Sequence, residues 1–293
     1  MSDSETEREE AVFREAHQAA LEALADVAPE PGVAKPDPIL SATGVRRAFG
    51  GLVAVDVEHL EVQRGTITAL IGPNGAGKTT LFNLLTGFDR PSRGTWEFDG
   101  RSAKRLRSYQ MAQAGMVRTF QLTKALTRMT VLDNMLIAAP DQLGERLWAG
   151  LIHGMWRGQE VGNRAKALRL LERFNLADKC HDYAGELSGG QRKLLEMARA
   201  LMLEPKMVML DEPMAGVNPA LKQSLLEHIK ELREEGMTVL FVEHDMDMIH
   251  EIADWVVVMA AGQVITEGTP DQISSDPRVI DAYLGAHHDG AAH

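Results

Sequence analysis

The stretch Gly72-Pro73-Asn74-Gly75-Ala76-Gly77-Lys78-Thr79, followed by Thr80, constrains this chain more than any other part of it. It fits G-x-x-x-x-G-K-[ST] and lies in the context that motif requires, between an apolar strand, Ile67 to Ile71, and a helix that starts near Thr79. Three glycines let backbone N–H groups turn inward around a polyphosphate, and the helix start adds the positive end of a dipole. Lys78 reaches the terminal phosphates, and the Thr79 hydroxyl is placed to hold Mg²⁺. An anionic ligand is a local exception in a chain whose 42 acidic and 31 basic side chains leave a net charge of -11. That balance argues against a nucleic-acid partner.

The rest of the pattern supplies the frame for such a loop. Residues 39 to 49, 53 to 62 and 67 to 71 are rich in β-branched residues and read as strands divided by Gly50-Gly51 and Arg64-Gly65. Thr95 to Phe98 reads as a strand closed by Asp99-Gly100. From Thr130, an expected N-cap, to about Leu203 the pattern is helical, most regularly over Arg164 to Phe174. Strand runs return at 207 to 210, 238 to 242 and 255 to 259, with helices expected at 219 to 235 and 245 to 252. This alternation predicts an α/β fold with a parallel sheet, interrupted by a helical insertion.

Two further motifs carry chemistry. The apolar strand Met207 to Leu210 ends in Asp211-Glu212, which sets two carboxylates at the carboxyl edge of a sheet, where open α/β folds bind ligands. There Asp211 suits Mg²⁺, and Glu212, aimed differently, suits activation of a water. Leu187-Ser188-Gly189-Gly190-Gln191 precedes a well-patterned helix, so Ser188 serves as N-cap and the glycines expose amides at a second positive helix end. Two such helix starts imply either two phosphate groups or one nucleotide shared between two copies.

The phosphate loop, LSGGQ and the VMLDE strand, in that order over residues 39 to about 285, resemble the nucleotide-binding subunit of an ATP-binding cassette transporter. The resemblance implies a P-loop NTPase (RecA-like) core with an antiparallel β subdomain and an inserted helical subdomain over about 125–200. It implies ATP as substrate with Mg²⁺, and a head-to-tail pair in which LSGGQ of one subunit closes over ATP held by the other, in a homo- or heterodimer. By the same resemblance Phe49 occupies the place of an aromatic, usually Tyr, that stacks on adenine. Gln121 in VRTFQ reaches Mg²⁺ and the attacking water, and His244 contacts the γ-phosphate. One departure is Ala215-Gly216-Val217-Asn218, where many members carry Ala-Leu-Asp and an Asp-mediated contact across the dimer.

RAFGGLVAVD, VRTFQ, AGVNP, VEHDMDMI and GTPDQISSDPRVIDAYLG resemble importer subunits for branched-chain amino acids or related small solutes. The alternatives are the ATPase of a lipopolysaccharide-type exporter and a soluble cassette ATPase without a permease. Importer membership implies permease subunits as partners, a solute receptor acting indirectly, and a peripheral place on the cytoplasmic face of the plasma membrane. No run of about 18 apolar residues and no basic-then-apolar start occurs, so neither a span nor a signal peptide is expected. With Cys180 as the single cysteine, no internal disulfide is expected.

Residues 1–38 read as an acidic extension and Pro-rich linker. Nine carboxylates and two arginines in the first 30 residues account for -7 of the net charge. Phe13, Ala16, Ala20, Leu24 and Val27 follow helical spacing, so the segment is either a solvated tail or a helix that docks on a partner or on the body of the chain. In the insertion, Leu143, Leu147, Trp148, Leu151, Ile152, Met155 and Trp156 form an apolar stripe expected to pack within the helical subdomain or to face a permease or membrane. Residues 286–293, with His287, His288 and His293, read as a disordered tail rather than a metal site.

Overall fold

A computed structural model describes residues 3–119, 126–140 and 153–289, with side chains described outside 3–10, 153–157, 220 and 285–289. Gln121 and the stripe residues 143 to 152 lie outside the described residues, as do the side chains of Met155, Trp156, His287 and His288. The chain divides into two compact units, Met1–Arg118 with Lys206–Pro213 and Ile229–His293, and Thr119–Pro205 with Met214–His228.

The first unit holds two sheets. Strands β1 (Pro38–Phe49), β2 (Leu52–Gln63), β4 (Arg93–Phe98) and β5 (Arg101–Ser102) form an antiparallel sheet in the order β2-β1-β4-β5. The second sheet, in the order β10-β9-β3-β8-β7-β6, comprises β3 (Ile67–Ile71), β6 (Met116–Arg118), β7 (Met207–Asp211), β8 (Thr238–Val242), β9 (Trp255–Ala260) and β10 (Gln263–Gly268). All its pairs are parallel except β10 on β9. Every residue of β3, β7 and β8 is buried, as strands covered on both faces must be. That is why they read as unbroken apolar runs.

The order sets the chemistry in place, because β8 lies between β3 and β7. The phosphate loop after β3, Glu243-His244 after β8 and Asp211-Glu212 at the end of β7 therefore leave neighbouring strands at one edge. Helix α2 (Lys78–Leu85) buries Leu81, Phe82, Leu84 and Leu85, each contributing about 1.5–3 kcal/mol, which anchors the loop from its far side. Helices α3 (Ser108–Gln113), α8 (Met246–Ile252), α9 (Pro270–Ser274) and α10 (Pro277–Asp289) complete the unit. The last runs into the segment read as a tail.

The acidic N-terminus is a helix, α1 (Asp3–Ala25), docked on this unit. Ala20 and Leu24 are buried, His17 Nδ1 lies 3.0 Å from the Gly65 carbonyl oxygen, and the Phe13 ring covers Gly236. The linker after it is pinned rather than loose. Glu267 accepts from the backbone amides of Gly32 and Val33, from Trp255 Nε1 and from Lys35 Nζ at 2.6 Å, and both charged side chains of that pair are fully buried.

The second unit is helical: α4 (Val131–Leu136), α5 (His153–Arg173), α6 (Gly189–Leu201) and the first part of α7 (Pro219–Glu234). Thr130 caps α4 by accepting from the Asp133 amide at 3.1 Å. α5 begins 11 residues before the expected Arg164, through Gly154, Gly158 and Gly162. Among the described residues no helix is long and apolar enough to cross a membrane.

Candidate nucleotide-binding site

The loop conformation is one that only glycine sustains. Gly72, Gly75 and Gly77 have φ of 148°, 80° and 99°. A Cβ on Gly72 would lie 2.1 Å from the Met259 carbonyl oxygen, and one on Gly77 2.3 Å from that of Ala54. Backbone from β2 and β9 thus presses on the loop at both ends. Gly77 stands at the N-cap of α2 and no side chain caps that helix, so the amides of its first turn face the loop without an intrahelical acceptor. Asn74, Gly75 and Thr79 are exposed, Pro73, Gly77 and Thr80 half-buried, and Ala76 buried.

Lys78 Nζ donates to the carbonyl oxygens of Gly72 at 2.6 Å and Pro73 at 3.0 Å. Burial pushes its pKa below the ordinary lysine value, while Glu212 and Asp211 oppose the shift. The two carboxylates therefore share an electrostatic neighbourhood with the loop lysine, although 133 residues separate Lys78 from Asp211 in the chain.

Asp211 is buried, and its Oδ2 pairs with Arg118 Nη2 at 2.6 Å. Arg118 also donates through Nη1 to Asn83 Oδ1 at 2.6 Å and lies over the Phe82 ring, 5.5 Å from its centroid. It ties β6, α2 and β7 together, and the motif reading missed it. The signal was present, since a cation closing an apolar strand must find a buried partner. Oδ1 of Asp211 lies outside that pair. At Glu212 the chain turns into the left-handed region, φ 47°, with its amide donating to the Val242 carbonyl at 3.0 Å. A non-glycine residue there is strained by about 1–2 kcal/mol, and the turn separates its direction from that of Asp211.

His244 is exposed at the end of β8, with its Nδ1 3.7 Å from Glu243 Oε2. Phe49 closes β1 with 48% of its surface exposed, and the Arg47 guanidinium sits 4.5 Å from its ring centroid. In the helical unit Ser188 Oγ accepts from the Gln191 amide at 3.2 Å, while Gln191 Oε1 accepts from the Ser188 amide at 3.0 Å. The capping box leaves Ser188 and Gly189 exposed and Gln191 half-buried; Gly190 is buried against Leu221. Asn218 caps α7, its Oδ1 accepting from the Leu221 amide at 3.0 Å. That replaces the Asp of the resemblance with an uncharged acceptor that serves its own helix. Among the described residues no cluster of three or more His, Cys, Asp or Glu side chains is arranged to hold a metal by itself.

Comparison with known proteins agrees with this fold. The pattern of the ABC transporter family matches residues 55–215, and that of the branched-chain amino acid ATP-binding cassette transporter family matches 263–289. The high-affinity branched-chain amino acid transport ATP-binding protein BraF of Pseudomonas aeruginosa is 42% identical over 250 residues, covering 85% of this chain and 98% of its own. LivG of Escherichia coli K12, described in the same words, shares the same identity and coverage. Among solved structures, the ADP conformation of MJ1267, an ATP-binding cassette of an ABC transporter, superposes with a TM-score of 0.73 at 37% identity, covering 85% of this chain and 99% of that one. A nucleotide-free cassette from an ABC transporter gives 0.72 at 37% identity, covering 84% and 98%.

Proposed function

The chain belongs to the ATP-binding cassette transporter family, and on that premise we propose that it is the ATP-hydrolysing subunit of an importer for branched-chain amino acids or a related small solute. The observation that carries the reading is the convergence of Asp211 and Glu212, at the end of β7, on Lys78 at the start of α2. In this reading the amides from Gly72 to Thr80 and the Lys78 ammonium bind the phosphates of ATP, and Phe49 stacks on adenine beside Arg47. Lys78 exchanges its two carbonyl partners for phosphate oxygens, so loop closure and binding are one event.

Thr79 and Asp211 offer a hydroxyl and a carboxylate, hard oxygen donors that suit Mg²⁺, and the Thr79 side of the loop is open to solvent. When bound, the ion neutralises phosphate charge. Arg118 fixes the Asp211 carboxylate in orientation. Glu212 takes the proton of the attacking water, His244 contacts the γ-phosphate, and Gln121 completes the set from outside the described residues. Ser188, Gly189, Gly190 and Gln191 close over ATP held by a second ATP-binding subunit. We place the chain at the cytoplasmic face of the plasma membrane, peripheral to permease subunits, with the helical insertion as its second subdomain within a cassette spanning 39–285.

Glu212→Gln is expected to keep ATP binding and to lower ATP turnover by roughly 10²–10⁴-fold, measured as phosphate release. Undiminished turnover removes Glu212 from the role of base. Uptake of labelled leucine in cells whose only copy carries Glu212→Gln tests the transport reading: unchanged uptake refutes it.

A further inference from the structure

The tip of the β1–β2 hairpin carries Phe49, Gly50, Gly51 and Leu52, and both glycines have positive φ, 53° and 97°. Phe49 is half-exposed there, and its ring has no hydroxyl through which it could be tethered. What lies against it is Arg47, two residues back on β1, with the guanidinium carbon 4.5 Å from the ring centroid. A guanidinium seated on one face of a ring leaves the other face for a second partner.

The same arginine is fastened to the helix of the phosphate loop. Its Nε lies 2.9 Å from Asp89 Oδ2, in an ion pair rather than a hydrogen bond. Asp89 is itself held: its Oδ1 accepts from the Arg90 amide at 2.7 Å, and its own amide donates to the Asn83 carbonyl of α2 at 3.0 Å. The Ser92 amide donates to the Arg46 carbonyl at 2.7 Å, which laces the turn after α2 to β1. On the other strand of the hairpin, a bulge opposite Arg47 and Ala48 leaves Ala54 unpaired, and the Ala54 carbonyl is the one that closes on Gly77. Lys78 opens α2 and Asp89 follows its end, so one helix sets both the phosphate loop and the support of the Phe49 ring.

We propose that Arg47 is a positioning residue for the nucleotide base: anchored by Asp89, its guanidinium backs one face of the Phe49 ring and holds the opposite face out for adenine. Base and phosphates are then gripped by one braced unit of hairpin, loop and α2. The proposal rests on reading Phe49 as the adenine contact.

Arg47→Met keeps the length of the side chain and removes the planar cation. In the full chain, the Kd and KM for ATP are expected to rise roughly 3–10-fold, with kcat changed by less than about 2-fold. The Kd for inorganic tripolyphosphate, which has no base, stays the same. Asp89→Asn keeps the shape, removes the anchoring charge and gives a smaller rise in the same direction. An arginine that serves only the fold lowers the Tm and leaves the ratio of the two affinities untouched. That result, unchanged or tighter ATP binding in Arg47→Met, or an equal loss for ATP and tripolyphosphate, overturns the proposal. Phe49→Ala measured alongside separates the two levels. If it binds ATP like the unaltered chain, the adenine reading itself fails; if it weakens ATP alone while Arg47→Met binds normally, only the role of Arg47 falls.

Discussion

Two helices in this molecule begin beside glycines, and they treat their unpaired amides in opposite ways. α2 has Gly77 at its N-cap, in a left-handed conformation and with no side chain to accept from the first turn. α6 has Ser188, locked with Gln191 in a reciprocal capping box. Around α2 the glycines are required by backbone carbonyls 2.1 and 2.3 Å from where Cβ atoms would stand, whereas the nearest atom to a Cβ on Gly189 is the end of the Arg192 side chain at 4.0 Å. The first helix has no side-chain cap, and in the proposed function phosphate supplies it. The second is complete as a helix, and its rim, Ser188 and Gly189, is exposed. That contrast is what the proposed sharing of one ATP between two subunits requires of the two helix starts.

The largest effect that would break this contrast is at Gly72. Gly72→Ala forces a Cβ against the Met259 carbonyl and is expected to weaken ATP binding by roughly 100-fold or more in a calorimetric titration. Next is Ser188→Ala, which removes the cap of α6 and should lower unfolding stability by about 1 kcal/mol in urea melts, while ATP binding to a single chain is unchanged. Gly189→Ala should leave single-chain ATP affinity unchanged and raise stability by up to about 1 kcal/mol, since nothing blocks the methyl and alanine favours the helix.

A third helix start sharpens the comparison through pH. Asp276 stands before α10 and accepts from the Arg278 amide at 2.8 Å. Its pKa is lowered to about 2, chiefly by hydrogen bonding from the Arg278 side chain. A carboxylate depressed in the folded state stabilises above its unfolded pKa, about 3.9, and loses that contribution as pH falls through the folded value. The Tm gap between the unaltered chain and Asp276→Asn should therefore be fully open above about pH 4 and close toward pH 2. A gap independent of pH would show that the charge of the cap contributes nothing.

The sequence was most legible where a single chain segment decides its own structure. Residues 67 to 71, 207 to 211 and 238 to 242 are strands because both their faces are buried, and apolar runs announce that without reference to the rest of the chain. The phosphate loop and the Ser188 cap are equally local. Legibility ended where distant partners decide. Acidity over residues 1 to 30 kept a solvated tail open as a reading, yet Ala20 and Leu24, one helical turn apart, bury themselves on the body. Lys35 looked like linker, but it closes a buried pair with Glu267, 232 residues away. Arg118 belongs to the same class, acting on a site residue that only the fold brings near.

Amide hydrogen exchange of the single chain with and without ATP distinguishes a start of α2 capped by phosphate from a start of α6 capped by its own serine. Added protection is expected at Gly75 to Thr80 and no change at Gly189 to Gln191. Exchange at Gly75 to Thr80 that is indifferent to ATP, or protection gained at the start of α6 instead, would contradict this expectation.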